Sequence, residues 1–525
     1  MDKKKKQKTA VKKEWKRGIF LAGFFLVYPL FMTKGYSNVS ISKIACAGTL
    51  ILIAFFWIMW EELADSIQRN KGFLWRKPLW LWKRMSVPDR FLAGFFLAEL
   101  LAFLCSKYRD VSLDGRTDTH IGLFYMILMV MVYVVGRQRG QMDEKTIFFA
   151  GLGMDCVILF SLWQFLGGDP FGILSNLNTE YTNNYLSTFG NTAIFGMYLT
   201  LMMPLCICGY CRTDDIRMRI FTAASSGFGI IGVLISNTDA TYLGFCCALA
   251  FSAMVFMGER KSAARLLELF GIDIVGIMLF RGMYHLAARA RPLSSIVQKI
   301  LGTPFWLWLL GLGILAVCWF LTRKMISSER FYRRLVIALR ILVIAAGALA
   351  LGAFVFFSVF DRTTELGGLE RYLRFRPSWG TDRGYVWGWL ANIFADAGII
   401  QKLFGAGQGS VVLELFTHYT FEMTGELGYF FDNAHNVYLH YLITIGIFGC
   451  LMYIGLLISC LTAGFGRKQQ SECGHSAGAA IAVAACVLHG IFHVLEPGTL
   501  PFLFLYLGMI ASKSRRNREQ LPKNP

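Results

Sequence analysis

Residues 432 to 436, Asp-Asn-Ala-His-Asn, stand directly before an apolar run that begins at Val437. A histidine ordinarily titrates near neutrality, so His435 suits proton transfer if a polar substrate reaches it. Asn433 and Asn436 are placed to cap the helix that the apolar run predicts and to hold the imidazole by hydrogen bonds. The plainer alternative is that the five residues only cap a helix, with His435 a polar residue at its mouth. Upstream, "ERYLRFRPSWGTDRG" gathers Arg371, Arg374, Arg376 and Arg383, with Arg362 shortly before them. Guanidinium groups grip a diphosphate through paired N–H donors. Here the alternative is a solvated loop whose cations are balanced by Asp361, Glu365, Glu370 and Asp382.

Which reading holds depends on the elements that carry these groups. Of the 525 residues, 55 % are hydrophobic and only 17 % are charged. An ordinary core cannot hide that much apolar surface, and runs of near-spanning length recur along the chain. A segment of about 20 residues at helical rise crosses the hydrocarbon layer, and only helices satisfy their own amides there. The pattern predicts an all-α polytopic membrane protein with about 14 transmembrane helices, near 18–33, 44–60, 91–106, 119–136, 147–166, 190–208, 220–235, 241–257, 266–280, 302–321, 341–360, 437–463, 476–494 and 498–512. The basic start, "MDKKKKQKTAVKKEWKR", has no small-residue cleavage site after its first apolar run and is read as leading into a retained anchor.

The net charge of +19 raises the possibility of a nucleic-acid partner, but its distribution argues against one. Most lysines and arginines fall in alternate connections and in both tails, the bias that marks cytoplasmic loops. Both termini are therefore expected inside and residues 361–436 outside. This divides the chain into a basic tail (1–17), helices 1–11 (18–360), a long, partly helical external loop (361–436), helices 12–14 (437–512) and a second basic tail (513–525). None of the thirteen cysteines falls in a predicted external loop, so no disulfide framework is expected. "CICGYC" (Cys206, Cys208, Cys211) reads as small apolar filling rather than a metal site.

Two external connections are long, 167–189 and 361–436. The second is too long to be structureless in a compact protein. Within it, "DRGYVWGWLANIFADAGIIQKLFG" predicts a helix capped by Asp382 and stopped by Gly405, lying on the membrane with Trp387 and Trp389 at headgroup depth. "FGAGQGS" follows as a flexible turn. Three acids, Glu99, Asp155 and Asp273, sit inside predicted spans, where they either serve function or pair with a neighbouring helix. "HGIFHVLE" sets His489 and His493 one helical turn apart, as cavity lining or helix–helix hydrogen bonds rather than a metal site.

Taken in order, these motifs resemble the bacterial O-antigen ligase and polymerase family, which includes capsule and exopolysaccharide polymerases. The family's external Arg-x-x-x-Trp corresponds to Arg383 and Trp387, its Gly-x-Gly-like turn to "GAGQG" at 405–409, and its His-Asn-x-x-Leu to "HNVYL" at 435–439. Gly446 and Gly449 match its Gly-x-x-Gly, and Gly190 with Asn191 its upstream helix start. Two positions depart from the family. "SNTDATYLG" has Asp239 near an expected arginine, which leaves Arg371, Arg374 or Arg376 as the replacement. Thr444 stands where a glutamate is frequent.

The resemblance implies an inverting glycosyltransferase at the external face of the cytoplasmic (inner) membrane. It would move glycan from a polyprenyl-diphosphate carrier to an acceptor sugar, as a polymerase or a ligase, with His435 as base and Arg383 on the diphosphate. Arg371, Arg374, Arg376, Asn191, Asn433, Asn436 and Trp387 would bind substrate. No cofactor and no metal ion are expected, and arginine supplies the counter-charge. Expected partners are the lipid-linked donor, a saccharide acceptor, membrane lipids and a chain-length regulator. The rival reading is a flippase for lipid-linked glycans, which should carry charges along a cavity between two related halves. Here the informative residues gather on one face.

Overall fold

The computed structural model describes residues 16–68, 85–117, 120–174, 186–287, 290–325, 328–466, 475–494 and 496–519. Helix is the only regular secondary structure among the described residues, with no strand. Among the described residues, eight helices are long and apolar enough to cross a membrane, including Thr192–Arg212, Glu329–Phe360 and Val437–Gly464. Each of the fourteen predicted stretches falls on a helix, but not all reach spanning length. Ser476–His489 and Leu500–Ser512 are shorter apolar helices.

Thr192–Arg212 is apolar on every side, as a helix surrounded by protein should be. Its eighteen-residue membrane window is 100 % buried, enclosed by Glu144–Phe165, Ile216–Ser236, Asp239–Phe256 and Ser476–His489. At the other extreme stand Phe305–Lys324 and Glu329–Phe360, with 6 % of each window buried. Their side chains, leucine, isoleucine and phenylalanine, offer an apolar face that needs a lipid surround.

Contacts sort the connections into the two predicted sets. At one end Arg17 pairs with Asp143 at 2.7 Å, Arg139 with Glu61, Arg212 with Glu259 at 2.6 Å and Arg265 with Asp214 at 2.8 Å. At the other, Ser106 Oγ donates to the Ala406 carbonyl at 2.5 Å and Thr117 Oγ1 to that of Gly409 at 2.7 Å. There too, Arg371 meets Asp239 and the Val437 amide donates to the Gly490 carbonyl at 2.8 Å. Each contact joins connections assigned to the same side, as alternating helices require.

Three sequence expectations change. The helix expected over 382–405 is two, Trp379–Asp396 and Ile399–Phe404, separated at Ala397 and Gly398. Its regular part starts at Arg383, because Gly380, Thr381 and Asp382 all have left-handed backbones. Asp382 makes no cap; its carboxylate accepts from the Tyr429 hydroxyl at 2.6 Å. The helix also packs against its neighbours. Trp389 is buried with Val386, Leu390, Val411, Leu415, Phe431 and Ile443 in a separate small core between the 361–436 segment and the start of helix Val437–Gly464.

"GAGQG" is not a flexible turn either. The Ala406 and Gly407 amides donate to the carbonyls of Ile443 and Thr444, each at 2.9 Å. Those residues precede Gly446, where helix Val437–Gly464 is interrupted at φ 69°. A Cβ on Gly405 would lie 2.2 Å from the Thr444 carbonyl oxygen, and one on Gly446 2.5 Å from Leu403 backbone. The two backbones meet closely because neither residue has a side chain.

Candidate active site

Helix Trp379–Asp396 carries Arg383, and four residues on, Trp387 donates its indole N–H to the Ala434 carbonyl at 3.0 Å. That bond ties the arginine's helix to the residue preceding His435. Asn436 caps helix Val437–Gly464, its side-chain oxygen accepting from the Leu439 amide at 2.9 Å. Asn433, buried, accepts from the backbone N–H of His435 at 2.8 Å and donates to Asp432. The asparagines thus fix the backbone of His435, and the imidazole is held by neither. His435 itself has φ 46°, in a left-handed conformation that costs a non-glycine residue energy.

The His435 ring meets Phe431 edge-on at 5.8 Å, and its Nδ1 is buried with no hydrogen-bond partner. Burial, reinforced by the positive charge of Arg383, pulls its pKa down to about 3. Burial also lowers the pKa of Arg383, opposed by the carboxylate of Asp239. The Arg383 guanidinium donates to the Gly380 carbonyl, while its Nε is buried without a partner. These electrostatic couplings bring His435, Arg383 and Asp239 into one neighbourhood.

The other arginines separate into distinct roles. Arg371 pairs with Asp239 at 3.0 Å, both about half exposed. An arginine from the external segment therefore arrives beside the helix start where the sequence has an acid. Arg374 is different. It is 4 % exposed and ion-paired with Glu370 at 2.7 Å, and it donates to the carbonyls of Phe357, Asp361 and Thr364. That environment holds the external segment against the end of helix Glu329–Phe360 and leaves the guanidinium little to offer a diphosphate. Arg376 also pairs with Glu370 but is half exposed. Asn191 caps helix Thr192–Arg212, accepting from Ala193 N at 2.7 Å and Ile194 N at 3.4 Å after the left-handed Gly190.

His489 and His493 are placed differently from what their spacing predicts. The helix ends at His489, so the two are not on successive turns; the chain reverses and His493 lies in the following bend. Their rings are 6.2 Å apart, and His489 Nδ1 is 3.1 Å from Thr200 Oγ1. Both are buried, and His489 Nε2, His493 Nδ1 and His493 Nε2 have no partner. His493 is electrostatically coupled to His435, His489 and Arg383. Next to them Phe375, Trp379, Trp387 and Phe492 form an aromatic patch, with Trp379 also 5.5 Å from Phe354 of helix Glu329–Phe360. The spacing His-x-x-x-His points to one helix face, whereas the reversal after His489 sets His493 between His489 and the neighbourhood of His435 and Arg383.

The intramembrane acids have local partners. Gln408 Nε2 donates to both carboxylate oxygens of Glu99 at 2.9 and 3.1 Å, Ser225 donates to Asp155 at 2.7 Å and Ser226 to Asp273 at 3.1 Å. In the basic connection 281–301, Arg281 donates to the Thr303 carbonyl, and Arg289 lies outside the described residues. Cys206, Cys208 and Cys211 are buried among apolar side chains. Among the described residues, no three His, Cys, Asp or Glu side chains group to hold a metal ion.

Residues 305–454 match the family model described as O-antigen ligase, which bears out the resemblance read from the motifs. The match takes in Arg383, Trp387, "GAGQG", His435 and Gly446, and it leaves out Asn191 and Asp239. No curated protein matches the chain.

Proposed function

We propose that this O-antigen-ligase-type protein is a glycosyltransferase at the external face of the cytoplasmic membrane, joining glycan from a polyprenyl-diphosphate carrier to a sugar hydroxyl. The observation that carries the reading is the gathering of buried, unpartnered polar atoms on Arg383, His435, His489 and His493 at one end of the bundle. Native proteins satisfy nearly all buried polar groups, so such a concentration is the mark of a site built for a ligand.

In this reading the acceptor hydroxyl attacks the anomeric carbon of the donor, the carbon–oxygen bond to the diphosphate breaks, and the hydroxyl proton passes to His435. One displacement inverts the anomeric centre. The diphosphate is already a good leaving group, so the protein's task is to stabilise its departing charge and to hold the acceptor in line. Arg383 receives that charge and Arg371, held by Asp239, supplies a second cation; Arg374 serves as scaffold. His489 and His493 meet sugar hydroxyls, and the aromatic patch beside helix Glu329–Phe360 gives the first isoprenoid units an apolar seat reached from lipid.

The depressed pKa of His435 fits this order of events. At neutral pH the imidazole is unprotonated, as a base must be, yet burial and, after it, the charge of Arg383 keep it weak. A bound diphosphate offsets the arginine's charge, so the base gains strength when the donor is in place. The test is to follow lipid-linked glycan in cells carrying His435→Ala or Arg383→Ala. Glycan should reach the outer face and remain unjoined. Accumulation on the cytoplasmic side would instead indicate transport and overturn the proposal.

A further inference from the structure

At the far end of the helix that begins with Arg383 lies a cavity of about 260 Å³ that the reaction above does not use. It opens where the external segment meets the ends of the membrane helices, between Phe394, Asp396, Gln401, Tyr419 and the outer residue Lys107. Eleven residues of helix separate Arg383 from Phe394, about 16 Å at helical rise. A short oligosaccharide spans that distance.

The wall chemistry selects the class of ligand. Glu414 is 4 % exposed, and its carboxylate pairs with Lys107 at 2.9 Å and with His418 at 3.5 Å. The deepest charge is thus already answered within the protein, and the exposed Asp396 adds an acceptor, so the cavity has no excess of cations for a phosphate. It does have hydrogen-bonding groups of both kinds, the Gln401 amide and the Asp396 carboxylate, beside the aromatic faces of Phe394 and Tyr419. Tyr419 departs from helical geometry at φ −134° and stacks on the buried Trp389 at 5.1 Å and 16°, which fixes its ring at the cavity wall. Rigid aromatic faces next to mixed donors and acceptors suit a neutral, hydroxyl-rich ring.

We infer that this cavity is a saccharide subsite that holds glycan several sugars away from the point of transfer. The assignment rests on the proposed glycosyl transfer for its biological use, but the binding it predicts is measurable without turnover. The probe is a set of oligosaccharides of one, two and four repeat units, cut by mild acid from the host's own surface polysaccharide. Their binding to the full-length protein in lipid nanodiscs is measured by calorimetry.

The four-unit probe should bind the wild type, and Asp396→Asn and Gln401→Ala should each weaken it about tenfold, the effect of losing one or two hydrogen bonds. His435→Ala should bind it as the wild type does. Because Glu414→Gln breaks a buried pair and can unfold the segment, the two partly exposed positions carry the test. Equal affinity in wild type, Asp396→Asn and Gln401→Ala, or no binding of any probe, overturns the subsite. Failure of the transferase reading has a different signature: joining persists in His435→Ala while the binding pattern stays as described.

Discussion

His435 combines three features that a simple helix cap does not need: a left-handed backbone, a buried and unpartnered Nδ1, and a neighbouring cation. The consequence is a pH signature. The proposed transfer requires the base form, so its rate is expected to fall as pH drops through the imidazole's pKa. In the free protein that value is about 3, and kcat/KM reports the free protein. With donor bound the pKa rises, and kcat reports the complex. The acid limb of kcat should therefore lie at higher pH than that of kcat/KM, and coincident limbs in the two profiles would contradict charge compensation at Arg383. Removing the base should lower kcat of His435→Ala by about 100-fold or more. Arg383→Lys keeps the charge but loses the paired N–H fork. It should retain the pH profile while the rate falls, whereas Arg383→Gln should move the kcat/KM limb upward because a like charge has gone.

Asp239, at a helix start, meets Arg371 of the distant 361–436 segment. Its pair with Arg371 is about half exposed and contributes at most about 1 kcal/mol to stability. Asp239→Asn should thus leave the melting temperature nearly unchanged while raising KM for the lipid-linked donor, because Arg371 loses its anchor. A lowered melting temperature with unchanged KM would reduce the pair to a surface contact.

Among the elements, the docked "GAGQG" segment and the interrupted helix Val437–Gly464 form one joint. The glycines were visible in the sequence, but glycine serves equally for flexibility and for close approach, and only the positive φ angles and the facing Thr444 carbonyl decide between them. Gly446→Ala should destabilise the protein by about 2 kcal/mol or more, since it combines a left-handed strain with a backbone collision. Gly388→Ala is the matched control. It lies in helix Trp379–Asp396 with open space around its added Cβ, and helix propensity predicts no loss or a gain of up to about 1 kcal/mol. Thermal unfolding of the two in the same detergent checks the contrast. The break at Ala397 and Gly398 escaped the sequence reading because its apolar spacing continues through the bend, and periodicity alone does not register a change of axis.

For the molecule as a whole, the salt bridges and hydrogen bonds at the two ends pair like with like among the connections. The positive-inside bias predicts which end is cytoplasmic. A cysteine placed at the exposed Thr363 should react with an impermeant maleimide added to intact cells, in a chain whose other exposed cysteines are serine. One at the exposed Lys261 should react only after the membrane is opened. The reverse pattern would invert the topology and put His435 on the cytoplasmic side.

Hydrophobic run length, charge bias and the order of short motifs determined, from the sequence alone, that the chain is a helical membrane protein, and they singled out the segment around Arg383 and His435 that the proposed reaction uses. Those properties are local, because spanning length, capping and charge are each written in consecutive residues. Tertiary structure alone decided that Arg371 answers Asp239, that Arg374 is consumed by carbonyls, and that His489 and His493 join His435. Such partnerships link residues far apart in the chain, and packing sets their distances through helix breaks and chain reversals that leave little trace in composition or period.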